Sequence, residues 1–409
     1  KYISMVMRDV FLVKPLSMTP SQIRRIILIL LGIVVLGVLG FLGYRALRTT
    51  PAAPQDETQT ITGRSLPSPA IPQVPPGGAE GAIPLPDLPS IAEERLVRLT
   101  DFPVVSPALN KDETRVLFYK KSGGDLFASD FTGKNQTKQT NLTVIGLMEA
   151  IWQRDGGRAV VRYADGDTAK AFLQIGTSTI ATLPQDITSA AWSPDRSSVA
   201  YALPRDGQLD LIITDASGKN PRTVYRTPLI DASLAWVAAD LFIFATAPSA
   251  AADGYFFAFS RQDGAFTKVF GPQRGLIGLW SPDGAAVLAS GIPAGAREYA
   301  LTLYSRQKKE SVSIPLATMA EKCVWSDGAS LFCAVPKSIP GGTVLPDEYL
   351  RGEFNPSDRI VRIESTAGAV SPIFDEGDFD MANILATKDK KRLFFVNRRD
   401  GTLWSLRLQ

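Results

Sequence analysis

Residues 189–227 read SAAWSPDRSSVAYALPRDGQLDLIITDASGKNPRTVYRT. It holds four short segments rich in apolar or β-branched residues: SAAWS, SVAYAL, LDLIIT and RTVYRT. Turn-forming residues separate them, first Pro194-Asp195, then Asp206-Gly207, and finally the run from Ser217 to Pro221. Short alternating segments bounded by such residues are typical of β-strands. The stretch therefore predicts one sheet of four antiparallel strands.

The same pattern recurs along the chain, mostly at a period of about 40–45 residues. In each copy an apolar or Trp residue precedes a turn that contains Asp, and a pair of apolar residues follows the turn. Shortened copies occur at Trp236 and Trp325. The anchor residues are Leu109, Trp152, Trp192, Trp236, Trp280, Trp325 and Ala386. No helical period recurs between the copies. We therefore predict an all-β, seven-bladed β-propeller with four-stranded blades over residues 92–409.

The first and last strands of this region are expected to belong to the same sheet. The seventh copy shows only three strands, near 381–386, 392–397 and 402–407. An unassigned strand, residues 94–99 (ERLVRL), precedes the first copy and resembles the fourth strand RTVYRT. We expect it to join the last blade and close the ring, which removes an open sheet edge.

The segments WSPDR at 192–196, WSPDG at 280–284 and WSDG at 325–328 carry a family resemblance. They resemble the WD40-like propeller repeats of TolB-like proteins and of prolyl oligopeptidase-type enzymes. The resemblance covers roughly residues 91–409 and implies the propeller fold. TolB-like proteins bind partner proteins in the bacterial envelope, so the resemblance also implies a binding function. The peptidases carry an additional hydrolase domain, for which we expect no room here.

The N-terminal part predicts a membrane anchor. Residues 26–44 are 19 uncharged, mostly apolar residues, long enough for one transmembrane helix. The excess of Lys and Arg before this segment places residues 1–25 in the cytoplasm and the propeller outside it. Residues 45–91, rich in proline, predict an extended linker. A cleaved signal peptide is the alternative, but no clear cleavage site follows. We expect a single-pass protein of a prokaryotic cell membrane.

Composition excludes several function classes. The chain has no histidine, so Ser-His-Asp catalysis and any zinc site with a His ligand are excluded. Seven of its 44 basic residues lie within residues 1–48 beside one acid, leaving 37 basic and 40 acidic groups elsewhere. A nearly neutral head argues against nucleic-acid binding. We predict no catalytic residues, no cofactor and no metal.

The repeat residues and the two cysteines have structural interpretations. We expect the repeat Asp side chains to fix turns and the Trp side chains to pack between blades. Cys323 and Cys333 flank the first hairpin of the sixth blade and fall opposite one another. A cross-strand disulfide is therefore one expectation, and two buried free thiols are the other.

One long departure from the repeat marks a candidate binding site. Residues 336–357 are inserted between the second and third strands of the sixth blade, and residues 375–380 (DEGDFD) form the next loop on that face. We expect an acidic patch with aromatic anchors. Its residues are Asp347, Glu348, Tyr349, Arg351, Phe354, Asp375, Glu376, Asp378 and Asp380. Three interpretations compete: a protein-binding surface, a structural plug over the channel, and a cation site, although DEGDFD lacks EF-hand spacing.

The function expected from the sequence is interaction. We expect the propeller to bind a protein partner or a cell-wall polymer outside the cytoplasm. A carboxylate-dependent glycosidase or lyase is one rival, and a purely architectural envelope subunit is another. Two acids that face each other in an open pocket favour the enzyme, whereas a flat or plugged face favours the binder.

Overall fold

The computed structural model describes residues 94–408, and nearly all regular structure in this range is β-strand. The helical segments in it are a 3-10 helix, Ala320–Lys322, and one short α-helix, α1, Asp347–Arg351. No helix within 94–408 has the length and apolar character needed to cross a bilayer. The predicted cytoplasmic tail (1–25), membrane helix (26–44) and linker (45–91) lie outside the described residues.

The described chain begins with the short strand β1, Leu96–Arg98. Three antiparallel sheets of four strands follow, each with its strands side by side in chain order. The first contains β2 (Val104–Leu109), β3 (Val116–Lys120), β4 (Leu126–Ser129) and β5 (Gln136–Lys138). The second contains β6 (Leu147–Trp152), β7 (Arg158–Asp165), β8 (Thr168–Ile175) and β9 (Thr179–Thr182). The third contains β10 (Ser189–Trp192), β11 (Ser198–Arg205), β12 (Gln208–Asp215) and β13 (Arg222–Thr227).

The fourth sheet has seven strands. It contains β14 (Ser233–Ala238), β15 (Leu241–Ala245), β16 (Asp253–Ser260), β17 (Phe266–Trp280), β18 (Ala286–Pro293), β19 (Ala300–Ser305) and β20 (Glu310–Ile314). The first part of β17 pairs with β16 and its last part pairs with β18. Two repeats expected as separate sheets are therefore joined, because the connection between them is itself extended and hydrogen-bonded.

The fifth sheet again has four strands, β21 (Cys323–Trp325), β22 (Ser330–Pro336), β23 (Asp358–Glu364) and β24 (Val370–Phe374). The last three strands are β25 (Met381–Ala386), β26 (Arg392–Asn397) and β27 (Leu403–Arg407). The final sheet has the order β1-β27-β26-β25, with Leu96 opposite Leu406 and Val97 opposite Ser405. The first strand of the described chain thus completes the last sheet.

Buried side chains connect each sheet to the next. In one cluster, Ala200 and Leu211 of the third sheet pack with Phe242 and Phe244 of the fourth. Another cluster joins the two ends of the ring, with Val116 and Phe118 of the first sheet among Phe394 and Leu403 of the last. Because first and last sheets share a core, the sheets form a closed ring, as in a β-propeller.

The repeat residues act as the sequence predicts. The indole Nε1 of Trp192 donates a hydrogen bond to the backbone oxygen of Ile151 on the preceding inner strand, at 2.8 Å. Trp152 does the same to Ser106, at 2.7 Å. The Oδ1 atom of Asp195 accepts a bond from the backbone N–H of Ser197, at 3.1 Å. The Trp side chains thus tie neighbouring sheets together, and the Asp side chains fix the turns.

Candidate functional site

Residues 337–357, inserted between β22 and β23, form a folded unit that we call the cap. Helix α1 ends at Gly352, whose φ of 78° is the left-handed conformation that glycine adopts without strain. Tyr349 and Phe354 are 3% and 8% exposed and pack with Tyr299 and Met319. The prediction that these two aromatic residues form exposed anchors is therefore wrong. The aromatic side chains are buried because the cap and the neighbouring Tyr299 and Met319 form one small core.

The cap also contacts loops of the seven-stranded sheet. The backbone N–H of Ala250 donates a hydrogen bond to Oδ1 of Asp347, at 2.9 Å. Pro346 packs directly against Gly275, where no side chain could be accommodated. The cap thus extends from the fifth sheet to the fourth, and these two contacts hold it in one position.

A buried ion cluster, Lys322, Asp358 and Asp380, lies beside the cap. The ammonium of Lys322 is 2.7 Å from Oδ2 of Asp358 and 2.7 Å from Oδ1 of Asp380. All three residues are 0–1% exposed. The backbone N–H of Met381 donates to Oδ2 of Asp358, at 2.7 Å. Asp380, predicted as part of an exposed patch, is thus an interior residue that joins the fifth sheet to the last.

Tyr349 connects the cap to this ion cluster. Its hydroxyl donates a hydrogen bond to Oδ1 of Asp380, at 3.2 Å. Burial raises the pKa of Tyr349, so the hydroxyl stays protonated and remains a donor. The guanidinium of Arg398 lies 4.1 Å from the centre of the Tyr349 ring, and the ammonium of Lys322 lies 4.6 Å from it. These contacts place the aromatic ring between two cations, a favourable arrangement.

Burial raises the pKa of Asp358, and the charge of Lys322 opposes that shift. Arg398 contributes a second positive charge, with its Nη1 3.9 Å from Oδ2 of Asp380. Two cations therefore face two carboxylates, which compensates the charges that burial would otherwise penalise.

A pocket of about 210 Å³ opens next to the ion cluster. It is lined by Glu321, Lys322, Tyr349, Leu350, Ala382, Asn383 and Arg398. The carboxylate of Glu321 is accessible from the pocket, yet the protein around it raises its pKa by desolvation, against the opposing charges of Arg398 and Lys322. Glu321 is the one carboxylate of this lining. The sequence missed this pocket because Glu321 and Arg398 belong to no motif.

Three other predicted acids, Asp375, Glu376 and Asp378, are exposed, but each has a cationic neighbour. Lys337 pairs with Asp375 at 2.9 Å, Arg95 with Glu376 at 3.2 Å and Arg399 with Asp378 at 2.5 Å. The predicted acidic patch is thus a surface of mixed charge. The error arose because Arg95 arrives only through ring closure, and Arg399 arrives from the β26–β27 turn of the last sheet.

Two polar side chains of α1, Glu348 and Arg351, interact with other residues of the cap. Oε1 of Glu348 accepts a hydrogen bond from the backbone N–H of Val344, at 3.1 Å, and Arg351 pairs with Glu353 at 2.7 Å. Two apolar side chains of the cap remain exposed, Val344 at 45% and Leu350 at 42%. The large apolar side chains that the cap exposes are thus these two aliphatic residues and not the predicted aromatic pair.

Cys323 and Cys333 form a disulfide across the β21–β22 hairpin, where they face each other in register. Both are buried, and Cys323 directly follows Lys322 of the ion cluster. Within residues 94–408 no group of three or more His, Cys, Asp or Glu side chains is arranged to hold a metal ion.

Comparison with known proteins identifies the fold. No protein-family model and no curated protein sequence matches the chain. Among solved structures, an oligogalacturonate lyase in complex with manganese is 11% identical, with a TM-score of 0.54 over 77% of this chain and 93% of the lyase. The β-propeller domain of the trilobed protease from Pyrococcus furiosus is 12% identical, with a TM-score of 0.52 over 75% of this chain and 93% of that domain.

TolB from Acinetobacter baumannii is also similar, at 12% identity and a TM-score of 0.44 over 74% of this chain. The chain covers 63% of that TolB, less than two thirds of its length. Identities this low carry information about fold and not about activity. By its sheets, its closing strand and its similarity to the lyase and to the trilobed-protease domain, the chain has a β-propeller fold. TolB proteins are among its structural neighbours.

Proposed function

We propose that the chain is a membrane-anchored, extracytoplasmic β-propeller that binds a partner protein through the exposed surface of its cap. The proposed anchor is the uncharged segment 26–44, and the proposed spacer is the proline-rich segment 45–91. Seven sequence repeats support a count of seven blades. The seven-stranded sheet fits this count as two blades that share β17.

The observation that carries the proposal is the way the cap packs on the propeller. Its Tyr349 contacts Lys322 and Asp380 of the ion cluster, while Val344 and Leu350 remain exposed on a unit that shares a core with Tyr299 and Met319. Around them lie ion-paired polar residues such as Arg351 and Glu353. Apolar residues on a preorganised support, surrounded by a polar rim, are the usual composition of a protein-binding surface.

The rival function, a glycosidase with two carboxylates, finds less support in this geometry. Such an enzyme needs two acids facing each other across an open pocket. The pocket beside the cap offers only Glu321, because Asp358 and Asp380 are enclosed and bound to Lys322. A pocket with one carboxylate therefore favours binding over this chemistry.

A comparative pull-down tests the proposed surface. The full-length chain, solubilised in detergent from membranes of cells that make it, is compared with a Val344→Asp/Leu350→Asp variant. A Val370→Asp variant is the control, since Val370 is 40% exposed on β24 of the same sheet. We expect the cap variant to lose a partner that the unmodified chain and the control retain. Equal recovery by all three chains would refute the cap as the binding surface.

The same experiment distinguishes a transient binder from a fixed subunit. A stoichiometric complex that resists high salt supports a permanent architectural subunit, because screening weakens mainly exposed charge pairs. Anchoring is tested separately by deleting residues 26–44. We expect the shortened chain to leave the membrane fraction, and its retention there would contradict the proposed anchor.

A further inference from the structure

A second cavity lies far from the cap, on the outer side of the ring between the first two sheets. It is formed where the chain leaves β5, at residues 139–142, and by β8, the turn at 177–178 and β9. Its volume is about 460 Å³. Cavities of this size hold small organic ligands in many proteins. We call it the side groove.

The lining of the side groove is polar but uncharged. Two residues of the lining are apolar, Leu142 and Ile180. The other six carry an amide or a hydroxyl group: Gln139, Thr140, Asn141, Gln174, Thr177 and Ser178. Charged residues make up 21% of the chain, yet none lines this cavity. Phosphates and carboxylates, which proteins bind with Arg and Lys, would find no partner of opposite charge here.

Gln174 places an unsatisfied hydrogen-bonding group in the wall of the groove. The residue is only 2% exposed, and its Nε2 donates to the backbone oxygen of Gly176 at 2.8 Å. No donor in the described part of the chain reaches its Oε1, which is buried in the wall. A buried acceptor without a donor is costly. A rotation of this side chain would turn the acceptor into the groove, where a ligand hydroxyl would supply the donor.

The surrounding frame is ordered by the fold itself. Oγ1 of Thr140 accepts a hydrogen bond from the backbone N–H of Leu126 at 3.1 Å, and the N–H of Gln139 donates to the oxygen of Leu126 at 2.7 Å. Gln174 lies opposite Ile180 in the β8–β9 register. These contacts hold the rim of the groove, and Ile180 remains 49% exposed beside the polar groups.

We propose that the side groove binds a neutral saccharide chain. Sugar hydroxyl groups both donate and accept hydrogen bonds, and so do the amide and hydroxyl side chains of this lining. The C–H faces of a sugar ring, or the methyl group of an N-acetyl substituent, match the exposed apolar surface of Ile180 and Leu142. This site is independent of the cap and gives the propeller a second ligand class.

The geometry favours a saccharide over a peptide. Peptides that add to propeller-like sheets pair with the backbone of an edge strand. β9, which lines the groove, is the edge strand of its sheet, but the unused acceptor is a side chain on β8, whose backbone already pairs with β7 and β9. A peptide is therefore the outcome that the experiment is designed to exclude.

The test measures binding to the full-length chain in detergent by saturation-transfer NMR and calorimetric titration. The probes are cellotetraose and chitotetraose, both uncharged, with triserine capped at both ends as the peptide probe. We expect at least one saccharide to bind with a Kd of about 1 mM or tighter, and the peptide not to bind. Failure of both saccharides, or tighter binding of the peptide, would overturn the proposal.

Variants locate the site. Gln174→Met keeps the side-chain length and removes the acceptor, and Asn141→Ala alters the rim without touching the core. We expect each to weaken saccharide binding about fivefold to tenfold. Gln262→Ala, at an exposed amide in the β16–β17 turn, is the control and should bind unchanged. Unaltered affinity in Asn141→Ala and in a folded Gln174→Met protein would place the saccharide elsewhere and refute the side groove.

Discussion

Replacing Lys322 with methionine should destabilise the propeller strongly. Methionine matches the side-chain length of lysine but leaves Asp358 and Asp380 buried with no ammonium, where each now has an oxygen 2.7 Å from Nζ. Removing one partner of a buried ion pair typically costs about 3–5 kcal/mol. Because two carboxylates depend on this one lysine, we expect a loss near the upper end of that range.

Lys337→Met is the matched control. Lys337 also pairs with an aspartate, Asp375 at 2.9 Å, but the two side chains are 31% and 61% exposed. Exposed pairs contribute about 0–1 kcal/mol. Both variants make the same chemical change, so the difference between their losses of unfolding free energy measures the effect of burying the ion pair.

Urea denaturation of the full-length chain, followed by tryptophan fluorescence, gives the free energy of unfolding. All six tryptophans lie between residues 152 and 404, so the signal reports on the propeller. We also expect Lys322→Met combined with Asp358→Asn and Asp380→Asn to recover much of the loss, because no uncompensated carboxylate remains. A cost below about 1 kcal/mol for Lys322→Met, or no recovery in the triple variant, would refute the described role of the ion cluster.

The dependence on pH has a definite sign. Burial raises the pKa of Asp358, and removing Lys322 takes away the charge that opposes this shift. The folded variant then binds more protons than the unfolded chain, so its stability falls as pH rises above about 4, the ordinary aspartate value. We expect the deficit of Lys322→Met to be larger at neutral pH than in acid, and a deficit that grows on acidification contradicts this assignment.

Three further predictions concern the ring. Deleting residues 91–100 removes β1 from the last sheet and should lower the melting temperature, and an unchanged value would show that the strand does not close the ring. Replacing Cys323 and Cys333 with serine should cost about 2–3 kcal/mol, whereas free thiols in the native protein would exclude the bridge. Lys390 and backbone N–H groups lower the pKa of Asp327 to about 2, so the penalty of Asp327→Asn should fade as pH falls from about 4 to about 2; a penalty independent of pH in this window argues against that interaction.

The repeating part of the fold could be predicted from sequence because its causes are local. Turn residues next to Asp195 and strand alternation around it define one sheet, and the same signals recur. The closing strand could be inferred because a four-stranded unit lacked one member. The fusion of two sheets through β17 could not be predicted from the sequence. The residues between Phe270 and Leu276 form part of a strand although their sequence has no strand-like pattern.

The candidate site was less predictable because its contacts are non-local. Nothing near Lys322 in sequence indicates that residues 36 and 58 positions later, Asp358 and Asp380, will bind it. Tyr349 lies in an insertion rich in polar residues, and such a context predicts exposure. The structure buries it because α1 lies over the pocket formed by neighbouring sheets.

Site-specific photo-crosslinking in cells that make the protein tests whether the cap binds a partner protein. The substitution Leu350→p-benzoylphenylalanine places the reactive group on the cap, and the same substitution at Val370 places it at equal exposure on β24. We expect irradiation to yield a discrete, heavier protein adduct from position 350 and none from position 370. Adducts from both positions alike, or from position 370 alone, would contradict a partner-binding surface on the cap.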